Sequence, residues 1–391
     1  MADRIYLDWN ATAPLRPEAR AAVIAAMDAA VGNPSSVHAE GRAARRLVEQ
    51  ARERVAALVG AESRNVVFTS GGTEANMMAL TPALQISGST ARFDRLMLSS
   101  IEHASVRTGG SFSAHQVEEI PVTAEGALDI WALERRLGKL QQQAVRPLVS
   151  IMAANNETGV IQPIKAAAAL VHAAGGVLHV DAVQVFGRVP FDINEAGADL
   201  VTVSAHKLGG PQGIGALIRR SDALHLAEPL LKGGGQERGA RAGTENVAGI
   251  SGFGAAAISA GATMAADGER MRRVRDRLEA GLAKGPTIVF SQNAERLPNT
   301  SLFAAPGLRA ETALINLDLD GFAVSSGSAC SSGKVTASHV LAAMRVPEKL
   351  SSGAIRVSIG SSTREKEIDL FLEAWMKLLA ELSKRNRGLA A

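Results

Sequence analysis

The strongest constraint on the fold of this chain is an alternation. Short apolar runs of strand length return at Val66–Thr69, Arg95–Ser100, Val117–Val122, Leu148–Met152, Val177–Asp181, Leu200–Val203 and Gly215–Ile218. Helical patterns fall between and before them. One runs from Pro17 to about Ala30. Another places Ala43, Leu47, Ala51, Val55 and Leu58 on one face and ends at Gly60. Leu128 to Leu137 and Pro163 to Ala174 read the same way. Strands with near-continuous apolar character are buried on both faces, so the pattern predicts an α/β fold with a mostly parallel sheet between helices.

In such a fold, ligands bind beyond the carboxyl ends of the strands. Thr73, His103, Asn156, Asp181, His206 and Lys207 all follow predicted strands. Ser204, His206 and Lys207 enter a turn rich in glycine and proline. An amine there can form a Schiff base with an aldehyde cofactor, although a lysine beside a turn is also an ordinary surface residue. The segment Ser70-Gly-Gly72-Thr73 joins a strand to a helix. It reads either as a phosphate cradle or as a turn and helix cap. It has neither the spaced glycines of a dinucleotide site nor the lysine of a Walker loop. A histidine at position 103 can stack on a heteroaromatic ring or move a proton. Asp181 ends a strand, where it can face a cation such as a protonated pyridine nitrogen or simply cap a helix. Asn156 lies in a turn signature. The polar glycine loop from Leu231 to Asn246 reads as a lid or as a piece offered to a neighbouring subunit, with Thr244 able to donate to an anion.

Beyond about residue 262 the texture changes. Met271, Val274, Leu278 and Leu282 mark an amphipathic helix, short strands are predicted near 288–290, 314–317 and 355–359, and a last helix covers 364–383. These predict a smaller α+β domain, built from residues 1–14 and 262–391, beside a large domain spanning 15–261. Arg356 lies in an apolar strand and needs an anion, from an acidic side chain or a substrate carboxylate.

Charge excludes little but points away from polyanions: 42 basic against 39 acidic residues gives +3. No basic–aromatic interleaving suggests a nucleic-acid face. No run reaches the roughly 18 consecutive apolar residues of a membrane span. The N-terminal residues lack the pattern of a signal peptide. A soluble, cytoplasmic protein is expected, with no direct nucleic-acid or membrane partner. The single cysteine, Cys330, excludes an intrachain disulfide framework and a cysteine-cluster metal site. Its neighbours, Ser326-Gly-Ser-Ala-Cys330-Ser-Ser-Gly333, are polar and small, which suits a reactive thiol on a mobile loop better than a structural one.

Together these pieces resemble the NifS/IscS-type cysteine desulfurases, class-V aminotransferases with the aspartate-aminotransferase-like (type I) fold of pyridoxal-phosphate enzymes. The resemblance covers nearly the whole chain. It is carried by Tyr6-Leu-Asp-Trp-Asn-Ala-Thr-Ala-Pro14, Gly32-Asn-Pro-Ser35, Phe68-Thr-Ser-Gly-Gly-Thr-Glu74, Glu102-His103, Asn155-Asn-Glu157, His179-Val-Asp-Ala-Val-Gln184, Ser204-Ala-His-Lys207, Arg241-Ala-Gly-Thr-Glu245, Ser326-Gly-Ser-Ala-Cys330 and Ile355-Arg356. It implies conversion of L-cysteine to L-alanine by a homodimer. Lys207 would hold pyridoxal 5′-phosphate as an internal aldimine and move protons. His103 would stack on the ring, Asp181 would pair with the ring nitrogen, and Gln184 would bond the phenolic oxygen. Gly72, Thr73, Ser204 and His206 would hold the phosphate, with Thr244 supplied by the partner subunit. Asn156 and Arg356 would bind the substrate carboxylate. Cys330 would take the sulfur as a persulfide for a sulfur acceptor or iron–sulfur scaffold protein, in a housekeeping or nitrogen-fixation setting. Trp9 departs from the tyrosine expected at its position. A selenocysteine lyase, or another enzyme of the same cofactor class, would share Lys207 and Asp181 without needing Cys330. A protein of this fold that has lost its chemistry is the remaining alternative.

Overall fold

The computed structural model describes residues 4–29, 32–87, 89, 91–327 and 337–388. Its large sheet has seven strands in the order Val66–Thr69, Gly215–Arg219, Leu200–Ser204, Val177–Asp181, Pro147–Met152, Arg95–Ser99, Val117–Ile120. Gly215–Arg219 is antiparallel to both neighbours and the other pairings are parallel. Since Gly215–Arg219 reverses direction between two strands that agree, Val66–Thr69 delivers its carboxyl end to the same edge as Leu200–Ser204. Pro147–Met152 and Val177–Asp181 are buried at every position, as two-sided cover by helices requires.

The helix Ala39–Val59 starts at His38, whose ring accepts from the Gly41 N–H at 3.3 Å. It stops at Gly60, whose φ of 72° closes the end with bonds to Ala56 and Ala57. Its buried face, with Val48, Ala51, Val55 and Val59, packs on the helix Val247–Leu282. A side chain at Gly254 would put its Cβ 2.7 Å from the Ala51 Cα, so glycine there sets how closely the two helices approach.

A second sheet, four strands in the order Ile288–Val289, Thr300–Ala304, Ile355–Ser358, Ser325–Ser326, is antiparallel throughout. The N-terminal strand Ile5–Tyr6 pairs in parallel with Phe322–Ala323, and Asp8 bridges to Ser358. The apolar contacts divide accordingly. Ile250, Phe253, Ala256, Ala257 and Ala260 belong to the core of the large sheet. Leu7, Met271, Val274, Leu278, Phe303, Phe371 and Trp375 form another core. Phe303 meets the edge of Trp375 with ring centroids 5.1 Å apart.

Two sequence expectations change. The strand expected near 314–317 lies within a helix, Ala310–Leu319, which buries Ala310, Ala313 and Leu317 at helical spacing. A short run such as Ala313-Leu-Ile-Asn-Leu317 is compatible with either period until its buried face is known. The amphipathic helix expected beyond residue 262 begins earlier, as part of one continuous helix of 36 residues, Val247–Leu282, whose first half is rich in alanine and glycine and crosses the expected domain boundary. That helix is long and apolar enough by composition to cross a membrane, and half of its apolar window is buried inside the protein. The strand Thr300–Ala304 has no counterpart among the sequence expectations.

Candidate active site

The carboxyl ends of the central strands converge on a cavity of about 260 Å³. Gly72, Thr73, His103, Asn156, Asp181, Gln184, Ser204, His206 and Lys207 line it, together with Asn10, Asn76 and Ser105. Each arrives by a short route from a strand. Asp181 is the last residue of its strand, in register with Met152 on one side and Thr202 on the other. Ser204 ends the next strand, and one turn of 3-10 helix, Ala205–Lys207, brings His206 and Lys207 to the same wall. Gly72 and Thr73 open the helix Gly72–Ala79, whose first N–H groups have no partner within the helix. A Cβ on Gly72 would lie 3.1 Å from Val183 and 3.5 Å from Ser204, so the glycine keeps this corner open.

Side-chain hydrogen bonds then fix the wall. Asn76 Nδ2 donates to Asp181 Oδ2 at 2.9 Å and to Ser105 Oγ at 2.9 Å. Ser105 Oγ in turn meets His103 Nδ1 at 2.8 Å, and His103 caps the helix Ala104–Arg107. Asp181 Oδ1 accepts from the Val183 N–H at 3.1 Å. Behind Asp181, His179 is fully buried between Ser150 Oγ at 2.8 Å and Thr202 Oγ1 at 3.0 Å. Burial lowers its pKa to about 4, against the pull of Asp181, so it is neutral at neutral pH. Glu102 is also fully buried and accepts from the Met152 N–H at 2.8 Å; burial holds its carboxyl well above the usual range.

Lys207 Nζ donates to the carbonyls of Asn10 at 2.5 Å and Ala11 at 2.8 Å. His206 meets Thr12 Oγ1 at 3.2 Å. Burial, helped by the charges of Lys207 and Arg188, brings its pKa to about 4, so it too is neutral. Gln184 Nε2 donates to the Asn10 carbonyl at 3.2 Å. Arg356, 2% exposed, pairs with Asp8 at 2.7 Å and donates to the Asn156 carbonyl at 3.0 Å. Its Nε is buried and has no hydrogen-bond partner among the described residues.

Thr244 stands apart. It lines a different cavity of about 150 Å³ with Ser70, Glu237 and Arg241. Cys330 lies outside the described residues. Asn10, Asn76 and Ser105 were not singled out from the sequence as site residues. Asn10 links Lys207, Gln184, Asn156 and Thr300, all of them more than a hundred positions away, so no local pattern could reveal it. Asn76 had a weak signal, four positions from Gly72 on the predicted helix.

This donor set fits a small aromatic phosphate. One corner offers helix N–H groups and neutral donors, another a carboxylate held by Asn76, and a third a primary amine. Arg356 does not line this cavity; its guanidinium is paired with Asp8 and touches the cavity wall only through the Asn156 carbonyl. Among the described residues no group of histidine, cysteine, aspartate and glutamate is arranged to hold a metal ion.

The profile of the aminotransferase class-V family matches residues 5–371. A cysteine desulfurase of Cereibacter sphaeroides is 42% identical over 387 residues, covering 97% of both chains. The cysteine desulfurase IscS of Dictyoglomus turgidum is 39% identical, covering 98% of this chain and 96% of the relative. Among solved structures, a NifS-like protein from Rickettsia africae is similar with a TM-score of 0.86 and 35% identity, covering 96% of this chain and 99% of that one. The chain belongs to the class-V aminotransferases and, among them, to the cysteine desulfurase family.

Proposed function

We propose that the protein converts L-cysteine to L-alanine and passes the sulfur, held as a persulfide on Cys330, to an acceptor in iron–sulfur cluster or other sulfur-cofactor assembly. The observation that carries this reading is the meeting of Lys207, Asp181 and the Gly72–Thr73 helix start in one cavity. Pyridoxal 5′-phosphate, on which this family depends, supplies an electron-withdrawing ring when bound.

The residues divide the work. Lys207 would hold the cofactor through Nζ and carry protons to and from the substrate. Asp181, kept in place by Asn76 and Val183, would face the cationic ring nitrogen. His103, tied to Ser105, would cover the ring. Gly72, Thr73, Ser204 and neutral His206 would donate to the phosphate, and Gln184 to the phenolic oxygen. Asn156 and Arg356 would orient the substrate carboxylate, the guanidinium lying against Asn156 through its main-chain carbonyl. The Cys330 thiolate then attacks the substrate sulfur. A sulfur–sulfur bond would form and the carbon–sulfur bond would break, its electron pair staying with the substrate's β-carbon, which a proton then completes as the methyl group of alanine.

We also place Thr244 in the phosphate site of a partner subunit. Its absence from the lining of the main cavity supports this, as do the exposed apolar side chains of Met27 and Ile258, which suit an interface of a homodimer. A cytoplasmic location, and a domain boundary inside the helix Val247–Leu282 between its two cores, belong to the same reading.

The test compares alanine and sulfide production from L-cysteine in the parent, Cys330→Ala and Lys207→Ala. Lys207→Ala should lose both products by at least about a thousandfold, and Cys330→Ala should lose sulfide release to a thiol by a similar factor. A Cys330→Ala protein that releases sulfide at the parental rate would remove the desulfurase reading and favour a selenocysteine lyase or another enzyme of the cofactor class.

A further inference from the structure

Arg188 is a buried cation that the roles above leave without a task. It is 6% exposed and follows Gln184 by four residues through a run of turns. Its Nη1 donates to the Gln184 main-chain carbonyl at 2.5 Å and to Gln184 Oε1, and its Nη2 donates to the Trp9 carbonyl at 3.4 Å. No carboxylate pairs with it among the described residues. Neutral oxygens alone compensate a buried charge poorly. On one side Arg188 lines a second cavity of about 190 Å³, which shares Lys207 with the main one and has Trp9, Phe186 and Met271 but no acid in its lining. On the other side, through Gln184, lies the main cavity.

The contact with Oε1 decides which end of the Gln184 amide faces that cavity. With the oxygen taken by the guanidinium, Nε2 is the end turned to the cavity side, where one of its two hydrogens goes to the Asn10 carbonyl and the other remains to donate. A flipped amide would set NH2 against guanidinium, donor against donor. Burial, reinforced by Arg356, lowers the Arg188 pKa to about 9, which leaves it cationic at neutral pH. Its charge also reaches His206, alongside that of Lys207.

We propose that Arg188 is a positioning residue for the phenolic oxygen of the cofactor: it holds Gln184 with a donor turned to the cavity, and the anionic oxygen is the counter-charge that the guanidinium otherwise lacks. This rests on the assignment of Gln184 to that oxygen.

The test is a pH titration of the visible absorbance of the holoenzyme without substrate. Replacing the cation by a neutral residue, Arg188→Met or Arg188→Gln, should raise the midpoint of the colour change by about one pH unit, because a nearby positive charge disfavours the protonated form. Arg188→Lys should stay close to the parent. Gln184→Ala should shift the midpoint in the same direction, and the Gln184→Ala/Arg188→Met protein should shift by less than the sum of the two. If Gln184→Ala shifts the midpoint and neither neutral variant at 188 does, the Arg188 proposal is overturned while the Gln184 assignment stands. If Gln184→Ala leaves the midpoint unchanged, the Gln184 assignment fails and the proposal falls with it. A lysine variant that shifts as far as Arg188→Met, or shifts that add in full, also overturns it. The neutral pair guards against a variant that does not fold.

Discussion

Gly360 has no room for a side chain. A Cβ there would lie 2.0 Å from the indole of Trp9, so the glycine accommodates the bulky residue that replaces the expected tyrosine. Gly360→Ala should therefore destabilise the protein by about 1–3 kcal/mol through overpacking, read as a lower urea midpoint. A smaller residue at position 9 should recover part of that loss; equal losses with and without it would show that the indole is not the obstacle. The exchange at Trp9 is visible in the sequence, whereas its accommodation by a residue 351 positions away is not. The same contrast runs through the site. Lys207, Asp181 and Thr73 were legible because each follows an apolar strand, and strand exits share one edge. Asn10 and Arg188 were not, since their meaning lies in partners brought together by the fold.

Adjacent strands carry a buried polar relay through the large sheet: Ser150, His179 and Thr202 on three neighbouring strands. Folded His179 stays neutral down to about pH 4, while in the unfolded chain it takes a proton near 6.5. The unfolded state then binds more protons in that window, and stability falls as pH drops from about 6.5 toward 4. The full effect is about 3 kcal/mol. Urea titrations at several pH values should show a flatter dependence over this window in His179→Asn than in the parent; parallel curves would contradict the assignment. The strands themselves were legible from their continuous apolar runs. The helix Ala310–Leu319 was not, because a short run of leucine and isoleucine has no period of its own until one face is buried.

A second element, the loop that carries Thr244, is pinned by a buried ion pair. Arg52 meets Glu237 at 2.6 Å, with both side chains about 5% exposed or less, and Glu237 also accepts from the Phe68 N–H at 2.9 Å. Glu237 and Arg238 both adopt left-handed backbone, a strain that these contacts hold in place. Removing one partner of such a pair leaves the other charge buried, so Arg52→Met should cost about 3–5 kcal/mol in unfolding free energy. A loss below 1 kcal/mol, on the order of a surface pair, would show that the contact is not a buried clamp.

At the scale of the whole molecule, one helix serves two cores. Val247–Leu282 packs Ile250 to Ala260 against the large sheet and Met271 to Leu282 against the second sheet. Its continuity was hidden in the sequence by the change from an alanine-rich to an amphipathic texture. The cavity lies at the carboxyl edge of the large sheet, and Arg356 of the second sheet touches its wall through the Asn156 carbonyl, so in the proposed function substrate binding draws on both sheets. In the proposed function Cys330, also beyond the shared helix in sequence, meets the same substrate. The most direct measurement of that claim is mass spectrometry of the Cys330 peptide after exposure of the holoenzyme to L-cysteine under non-reducing conditions. The proposed function predicts one added sulfur atom on Cys330, absent in Lys207→Ala. Alanine formed in quantity with Cys330 free of added sulfur would contradict it.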